Sequence, residues 1–209
     1  MNPEPMGEGA LAGLRVIESC QNLAGPYCGT VLADMGADVI KVEPPGGDHS
    51  RKIGRHFAGE ESYAFMTLNR SKRGIVLDLK TEAGKGVFEE LAAGADAIVE
   101  NVRPGAMERM GLGYEDLKKI KPDIIYASIS GFGRTGPYAG QGGYDLISQG
   151  FSSLMSFTGE PGRDPVKIPV PLCDLNAGMY SAISILSAVF HRHRTGKGQW
   201  IDTSLTDAG

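Results

Sequence analysis

The chain has 209 residues, of which 41% are hydrophobic and 22% are charged, and this composition is typical of a globular protein with a sizeable core. The formal net charge of -4 argues against nonspecific binding to nucleic acid as the main task of the protein. We therefore expect a single domain over residues 1–209 that binds small molecules rather than nucleic acid.

The cysteines and the N-terminal segment predict where the protein is found. Cys20, Cys28 and Cys173 form no CxxC pair, which favours reduced thiols and argues against a metal site. Residues 1–13 lack the basic and apolar regions of a leader, and no later stretch is predicted to reach membrane-spanning length. We expect a cytoplasmic protein that does not contact a membrane.

The first third of the chain predicts a βαβ unit. Residues 14–20 are typical of a strand, a helix begins at Gly25 or Pro26 and ends at Met35, and residues 38–43 are rich in β-branched side chains. Two parallel strands with a right-handed crossover, as at the start of a dinucleotide-binding fold, are the expected result. The GxGxxG fingerprint is missing, however, and this argues against an NAD-dependent enzyme.

Strands and helices continue to alternate after a Gly-rich and Pro-rich surface loop over 44–62. The further strands are predicted over 74–79, 97–100, 124–130 and 199–205, and the further helices over 81–93, 107–110, 115–119, 146–155 and from about 174 to 194. This alternation predicts an α/β fold, in which a Rossmann-like parallel sheet carries helices on both faces. Thr81 is the predicted N-cap of its helix.

The carboxyl ends of the strands predict the position of the site. Ligands of open α/β sheets bind beyond these ends, so residues 77–80, 100–103 and 130–133 should converge on one crevice. The basic run over 69–73 allows two interpretations, since Lys72 and Arg73 could contact phosphates or only keep a turn soluble.

Asp174 opens a long apolar helix after Pro169 and Pro171, which hold the approach extended. One interpretation is that Asp174 is the N-cap of this helix. The other is that Asp174 is a nucleophile, because the positive end of the helix keeps its carboxylate ionised. The two interpretations are compatible. Asp145 likewise stands in a first turn, where an acid favours the helix dipole.

An ordered set of motifs resembles the N-terminal part of class III CoA-transferases, the CaiB/BaiF type. The motifs are LAGLRVIE over 11–18, LAGP over 23–26, GADVIKVE over 36–43, NRSKR over 69–73, VEN over 99–101, RPG over 103–105, YD over 144–145, Asp174, and TGKGQ over 195–199. No single motif is decisive, but their order is highly specific and spans essentially the whole chain.

The resemblance implies that CoA lies across a Rossmann-like domain and that Asp174 forms covalent acyl intermediates during CoA transfer between carboxylic acids. It also implies an acyl-CoA and a small carboxylic acid as substrates, and no prosthetic group. The positions that match CoA-contacting or site-closing residues of the family's formyl-CoA transferase are Leu77, Lys80, Asn101, Val102, Arg103, Arg109, Tyr144 and Asp145. Two residues depart from that enzyme: Pro44 replaces an arginine and Leu23 replaces a glutamine.

Members of the family are longer and form interlocked homodimers, so the resemblance implies an incomplete large domain without the small domain and the returning C-terminal segment. A fragment, a truncated frame and a functional short form all remain open, as does a CoA-binding protein without turnover. A racemase of the same family is a further alternative, but it would need a histidine where Tyr144 stands, and phenols ordinarily ionise only near pH ~10. His191 and His193 are interpreted as structural, because cations are favoured at a helix C-terminus.

Overall fold

The computed structural model describes residues 9–209, and its main feature is a six-stranded parallel sheet in the order β5-β2-β1-β6-β7-β8. The strands are β1 Arg15–Ser19, β2 Asp38–Glu43, β5 Arg73–Val76, β6 Ala97–Glu100, β7 Ile125–Ser130 and β8 Trp200–Ser204, with a separate hairpin of β3 Phe57–Ala58 and β4 Glu61–Ser62. The domain was predicted over 1–209, and residues 1–8 of it lie outside the described residues. They make up most of the segment 1–13 that was tested for a leader.

Eight α-helices accompany the strands within the described residues: α1 Ala24–Asp34, α2 Tyr63–Asn69, α3 Glu82–Ala93, α4 Ala106–Arg109, α5 Tyr114–Ile120, α6 Asp145–Phe151, α7 Leu172–Thr195 and α8 Leu205–Ala208. Helices α1 and α7 pack in the core on one face of the sheet, and α3 and α5 pack in the core on the other. The predicted α/β fold with a Rossmann-like parallel sheet is confirmed.

The central strands are apolar on both sides because both faces of the sheet are covered. In β1, Val16 belongs to the α1 and α7 core, whereas its neighbour Ile17 belongs to the α3 and α5 core.

Capping residues set helix ends as predicted. The Thr81 hydroxyl accepts a hydrogen bond from the Gly84 N–H at 3.1 Å, and this N-cap starts α3.

A cluster of four buried charges joins the sheet to the loop that follows β2. Glu18 and Lys41 are register partners on β1 and β2, and their side chains form an ion pair at 2.8 Å. Lys72 contacts the other oxygen of Glu18 at 2.6 Å, and Asp48 contacts Lys41 at 2.8 Å. Burial lowers the pKa of Lys41, but the charges of Glu18 and Asp48 outweigh it and raise the pKa overall.

This cluster corrects two predictions. The segment 44–62 is not simply a surface loop, because Asp48 and Ser50 are buried and the segment contains a 3-10 turn at His49–Lys52. The phosphate-binding interpretation of the basic run is wrong for both residues. Lys72 is buried against Glu18, and Arg73 pairs with Asp38 where β2 and β5 begin, at the amino end of the sheet.

Helix α7 is 24 residues long and contains a window with a mean hydropathy of 1.3, so by length and composition it could cross a membrane. The prediction that no stretch reaches this length is wrong. In this fold α7 packs on α1, and at the crossing Gly178 lies so close to α1 that a Cβ atom would stand 2.6 Å from the Ala24 carbonyl oxygen. An internal helix of a globular domain meets the same length and hydropathy criteria.

Candidate active site

A cavity of about 440 Å³ lies at the carboxyl ends of the central strands. The chain leaves β1 towards β2 on one side and later returns to β6 on the other, so the strand order reverses between β1 and β6. Ligands of open α/β sheets bind at this kind of switch point. The cavity wall comes from the segments after β1, β6 and β7 and from the first turn of α7.

Five of the residues identified from the sequence line this cavity: Asn101, Val102, Arg103, Tyr144 and Asp174. Gly131, from the predicted rim over 130–133, also lines it, and so does Asn22, which sequence reasoning did not identify. The departure at Leu23 stands in its wall. The segments after β6 and β7 therefore meet as expected.

The other predicted residues lie elsewhere. Leu77 and Pro44 line a neighbouring cavity of about 140 Å³, which shares Val102 with the larger one. Strand β5 ends at Val76, so Leu77 does follow a strand end. Lys80 and Arg109 are exposed and line neither cavity, although the Arg109 guanidinium folds back onto the turn at Gly105.

Asp174 is not the N-cap of α7. The helix begins at Leu172, and the capping position is Pro171, whose side chain makes no capping hydrogen bond. Asp174 is the third helical residue, half-buried, with its carboxylate on the cavity. The capping interpretation is therefore wrong, because the helix starts two residues earlier than predicted.

Asp145 supplies the missing cap from the neighbouring helix. Its Oδ1 accepts hydrogen bonds from the Cys173 N–H at 2.9 Å and from the Asp174 N–H at 3.3 Å. Its Oδ2 accepts from Gln149 Nε2 at 2.6 Å. Asp145 is thus the first-turn acid of α6, as predicted, and also the acid that satisfies the first turn of α7.

The prediction that the helix dipole keeps Asp174 readily ionised is wrong. Burial, and after it the negative charge of Asp145, raise the pKa of Asp174 to about 7. Within residues 9–209 no hydrogen bond is donated to the Asp174 carboxylate, since the nearest N–H groups of the helix are bonded to Asp145. Near neutral pH this carboxyl therefore exists in both protonation states.

Asn101 connects the two strands on either side of the switch point. Its Oδ1 accepts from the Gln21 N–H at 2.9 Å, and its Nδ2 donates to the Gln21 carbonyl at 2.7 Å. Both groups of the amide are therefore used to hold the segment after β1 against the segment after β6. This pairing fixes the shape of the cavity wall at Asn22.

A second buried acid holds the wall after β6. Glu100 accepts from the Val102 N–H at 3.0 Å and pairs with Arg134 at 3.2 Å, and Arg134 also contacts Glu108 and stacks on Trp200. Burial raises the pKa of Glu100, against the opposing effect of Ser128 and then of Arg134. The sequence contained no local signal for this arrangement, because Arg134 follows a different strand.

Gln149 is another residue that sequence reasoning missed. It is fully buried, and a signal for it did exist, since Asp145 and Gln149 are four residues apart and such pairs lie on the same side of a helix. The pattern alone did not show that this side of α6 faces the start of α7.

Comparisons with known proteins identify the family of the chain. The model of CoA-transferase family III matches residues 11–209. A succinate–glutarate CoA-transferase from Agrobacterium fabrum is 47% identical over 99% of this chain and 54% of its own length. An acetyl-CoA:oxalate CoA-transferase from Acetobacter aceti is 46% identical over 96% of this chain and 52% of its own length.

Solved structures give the same result. A CaiB/BaiF family protein from Brucella suis is 48% identical with a TM-score of 0.93, covering 96% of this chain and 54% of that one. A hypothetical protein from Mycobacterium tuberculosis is 37% identical with a TM-score of 0.89, covering 96% and 55%. The chain spans about half the length of the curated relatives it matches. The chain belongs to CoA-transferase family III.

Proposed function

We propose that the full-length protein transfers CoA between carboxylic acids and that Asp174 is the nucleophile. The observation that carries the proposal is the position of Asp174, a half-buried carboxylate on the switch-point cavity that accepts no hydrogen bond within residues 9–209. The names of the family relatives support CoA transfer as the reaction. The whole exchange takes place on one carboxyl group.

In the first step a carboxylate oxygen of Asp174 attacks the carbonyl carbon of the acyl-CoA thioester, the C–S bond breaks, and CoA leaves as a thiolate. The product is a mixed anhydride. The thiolate then attacks the aspartyl carbonyl of the anhydride, which releases the donor acid as a carboxylate and leaves an aspartyl-CoA thioester. The acceptor carboxylate reverses both steps, and Asp174 returns to its starting state.

The environment of Asp174 suits this role. Burial removes water from the carboxylate and raises its pKa to about 7, so the ionised form is more basic than an exposed aspartate and still present at neutral pH. Helix α1 also begins at the cavity, and no side chain caps its first turn. Its N–H groups support stabilisation of the oxyanion that forms when the thioester is attacked.

Arg103 is the residue that we propose to contact the CoA phosphates. It is exposed at the cavity and is the one basic side chain among the described residues that line it. Arg109, whose guanidinium lies on the neighbouring turn, and Lys80 belong to the same proposal. The small apolar cavity that includes Leu77 adjoins the main cavity at Val102 and offers room for a further part of CoA.

The relatives named above act on succinate, glutarate and oxalate, so we propose short dicarboxylic acids as the first substrates to test. A cytoplasmic homodimer without a prosthetic group is the form that we propose for the full-length protein. The racemase alternative has less support. In the described part of the chain none of the four histidines lines the cavity, and Tyr144 is 73% exposed.

Trapping the covalent intermediate tests the role of Asp174. The full-length protein is incubated with succinyl-CoA and hydroxylamine, which converts an aspartyl anhydride or thioester to a hydroxamate, and the peptide that contains residue 174 is examined by mass spectrometry. Wild-type protein and the exposed-acid control Asp164→Asn should form the adduct, whereas Asp174→Asn should not. Wild-type turnover in Asp174→Asn would overturn the proposal, and Asp145 would become the next carboxyl group to test.

The CoA contacts are tested by calorimetry. Arg103→Glu and Arg109→Glu should each weaken CoA binding and reduce its dependence on salt, because a charge-assisted contact to phosphate is replaced by repulsion. Arg163→Glu, a reversal at a 76% exposed side chain outside the cavity, serves as the control. Unchanged CoA affinity in either variant removes that arginine from the site.

A further inference from the structure

Gln149 on α6 is fully buried, and its side-chain amide contacts three residues near the candidate nucleophile, Asp145, Ile168 and Val170. Nε2 donates to Asp145 Oδ2 at 2.6 Å and lies 3.3 Å from the carbonyl oxygens of Ile168 and Val170. Oε1 accepts from the Ile168 N–H at 2.8 Å. The amide therefore joins α6 to the extended segment that leads into α7.

These partners determine which end of the amide points where. A carboxylate oxygen and two carbonyl oxygens surround Nε2, and all three are acceptors, whereas the partner of Oε1 is an N–H donor. A flipped amide would place an acceptor against the three acceptor oxygens and a donor against the Ile168 N–H. Only a side chain with one donor end and one acceptor end satisfies the site.

We propose that Gln149 is a positioning residue for the transfer reaction: it holds the Asp145 carboxylate on the first-turn N–H groups of α7 and so leaves the Asp174 carboxylate free in the cavity. Asp145 uses Oδ2 for Gln149 and Oδ1 for the N–H groups of Cys173 and Asp174. Without the Gln149 bond, Asp145 can rotate away, and Asp174 becomes the carboxylate nearest to those N–H groups. The inference rests on the proposed function of Asp174.

Gln149→Met in the full-length protein removes the hydrogen bonds and adds no charge. The rate of hydroxamate formation on residue 174 is measured against pH in the trapping assay. For wild type this rate should rise with pH to a plateau with a midpoint near 7, the pKa of Asp174. In Gln149→Met the plateau should fall by about 10- to 100-fold, because a displaced carboxylate attacks poorly. The midpoint should also fall, since Asp174 then gains the helix N–H groups.

Gln149→Glu keeps the shape of the side chain and gives a second, different signature. The protonated acid can still donate to Asp145, but the ionised form repels it, so adduct formation should decline again at high pH and the profile should become bell-shaped. Gln199→Glu is the matched control, because Gln199 is exposed at the amino end of β8 and undergoes the same chemical change. Its profile should follow that of wild type.

The outcomes separate this inference from the proposed function. If wild-type protein forms no adduct on residue 174 at any pH, the proposed function itself fails. If wild type forms the adduct and both Gln149 variants keep its plateau and midpoint, only the positioning role is overturned. A lower rate in both variants also overturns it if the midpoint of Gln149→Met is unchanged and the profile of Gln149→Glu is not bell-shaped. General destabilisation of the protein predicts that result.

Asp145→Asn decides the case if neither Gln149 variant folds. Asparagine can still accept from the first turn of α7 but carries no charge, so the midpoint for residue 174 should fall below the wild-type value. The other titratable groups at the cavity, Arg103 and Tyr144, and the buried neighbour Cys173 stay unchanged in this variant. A midpoint equal to that of wild type would show that Asp145, and therefore Gln149, does not influence the nucleophile.

Discussion

The crossing of α7 over α1 predicts how the protein responds to a single added methyl group. In Gly178→Ala the new Cβ atom would lie 2.6 Å from the Ala24 carbonyl oxygen and 3.1 Å from Tyr27 Cδ1. The carbonyl belongs to the main chain, so it cannot turn aside as the end of a flexible side chain could. The two helices must separate, and the variant should be less stable than wild type.

Two opposing effects set the magnitude. Alanine is more favourable than glycine in a helix interior by about 1 kcal/mol. Overpacking ordinarily costs about 1–3 kcal/mol, and the main-chain contact puts this position at the upper end of that range. The net change in the free energy of unfolding is a loss of about 2 kcal/mol. For a chain of this size such a loss lowers Tm by about 4–8 °C.

Gly86→Ala in α3 is the matched control, because a Cβ atom there meets nothing within 4 Å. The gain in helix propensity remains, and Tm should rise by about 2–4 °C. Thermal unfolding followed by circular dichroism compares the two variants with wild type. A Gly178→Ala protein as stable as wild type, measured beside a stabilised Gly86→Ala, would refute the close approach of α7 and α1.

Three further predictions concern charge and exposed surface. Burial raises the pKa of Asp174 above its value in the unfolded chain, so ionisation of this carboxyl group lowers the stability of the fold as pH rises from about 4 through about 7. Asp174→Asn should therefore raise Tm at pH 8 and change it little at pH 4. Calorimetry can measure both values. Lys41→Met leaves the buried carboxylates of Glu18 and Asp48 without their shared cation, so it should lower the free energy of unfolding by about 3–5 kcal/mol in urea titrations. The control Lys119→Met, at an exposed ion pair, should change the same quantity by under about 0.5 kcal/mol. The 209-residue chain exposes large apolar side chains along α7, including Ile183 at 58% and Phe190 at 65%, so it should self-associate; a clean monomer by sedimentation would contradict this expectation.

The fold followed from signals that are local in the sequence. Strands such as β6 and β7 are short apolar runs, which is the pattern of strands buried on both faces, and the structure places them within one residue of the predicted bounds. Thr81 started its helix as predicted, because a cap needs only a partner three residues away. The strand ends then located the crevice, since parallel strands bring their carboxyl ends to the same edge.

The charges of the site depended on tertiary structure. Sequence reasoning identified Asp174 and Asp145 but assigned the cap of α7 to the wrong acid, because the Asp145 bond to the Cys173 N–H spans 28 residues. Lys72 was interpreted as a phosphate contact or as a residue that keeps a turn soluble, yet it pairs with Glu18 on β1 and both side chains are buried. Periodicity and capping patterns describe what each segment does with its own backbone. The pKa of a carboxyl group and the partner of a lysine depend instead on which groups lose water together, and that is decided only when the helices and strands pack.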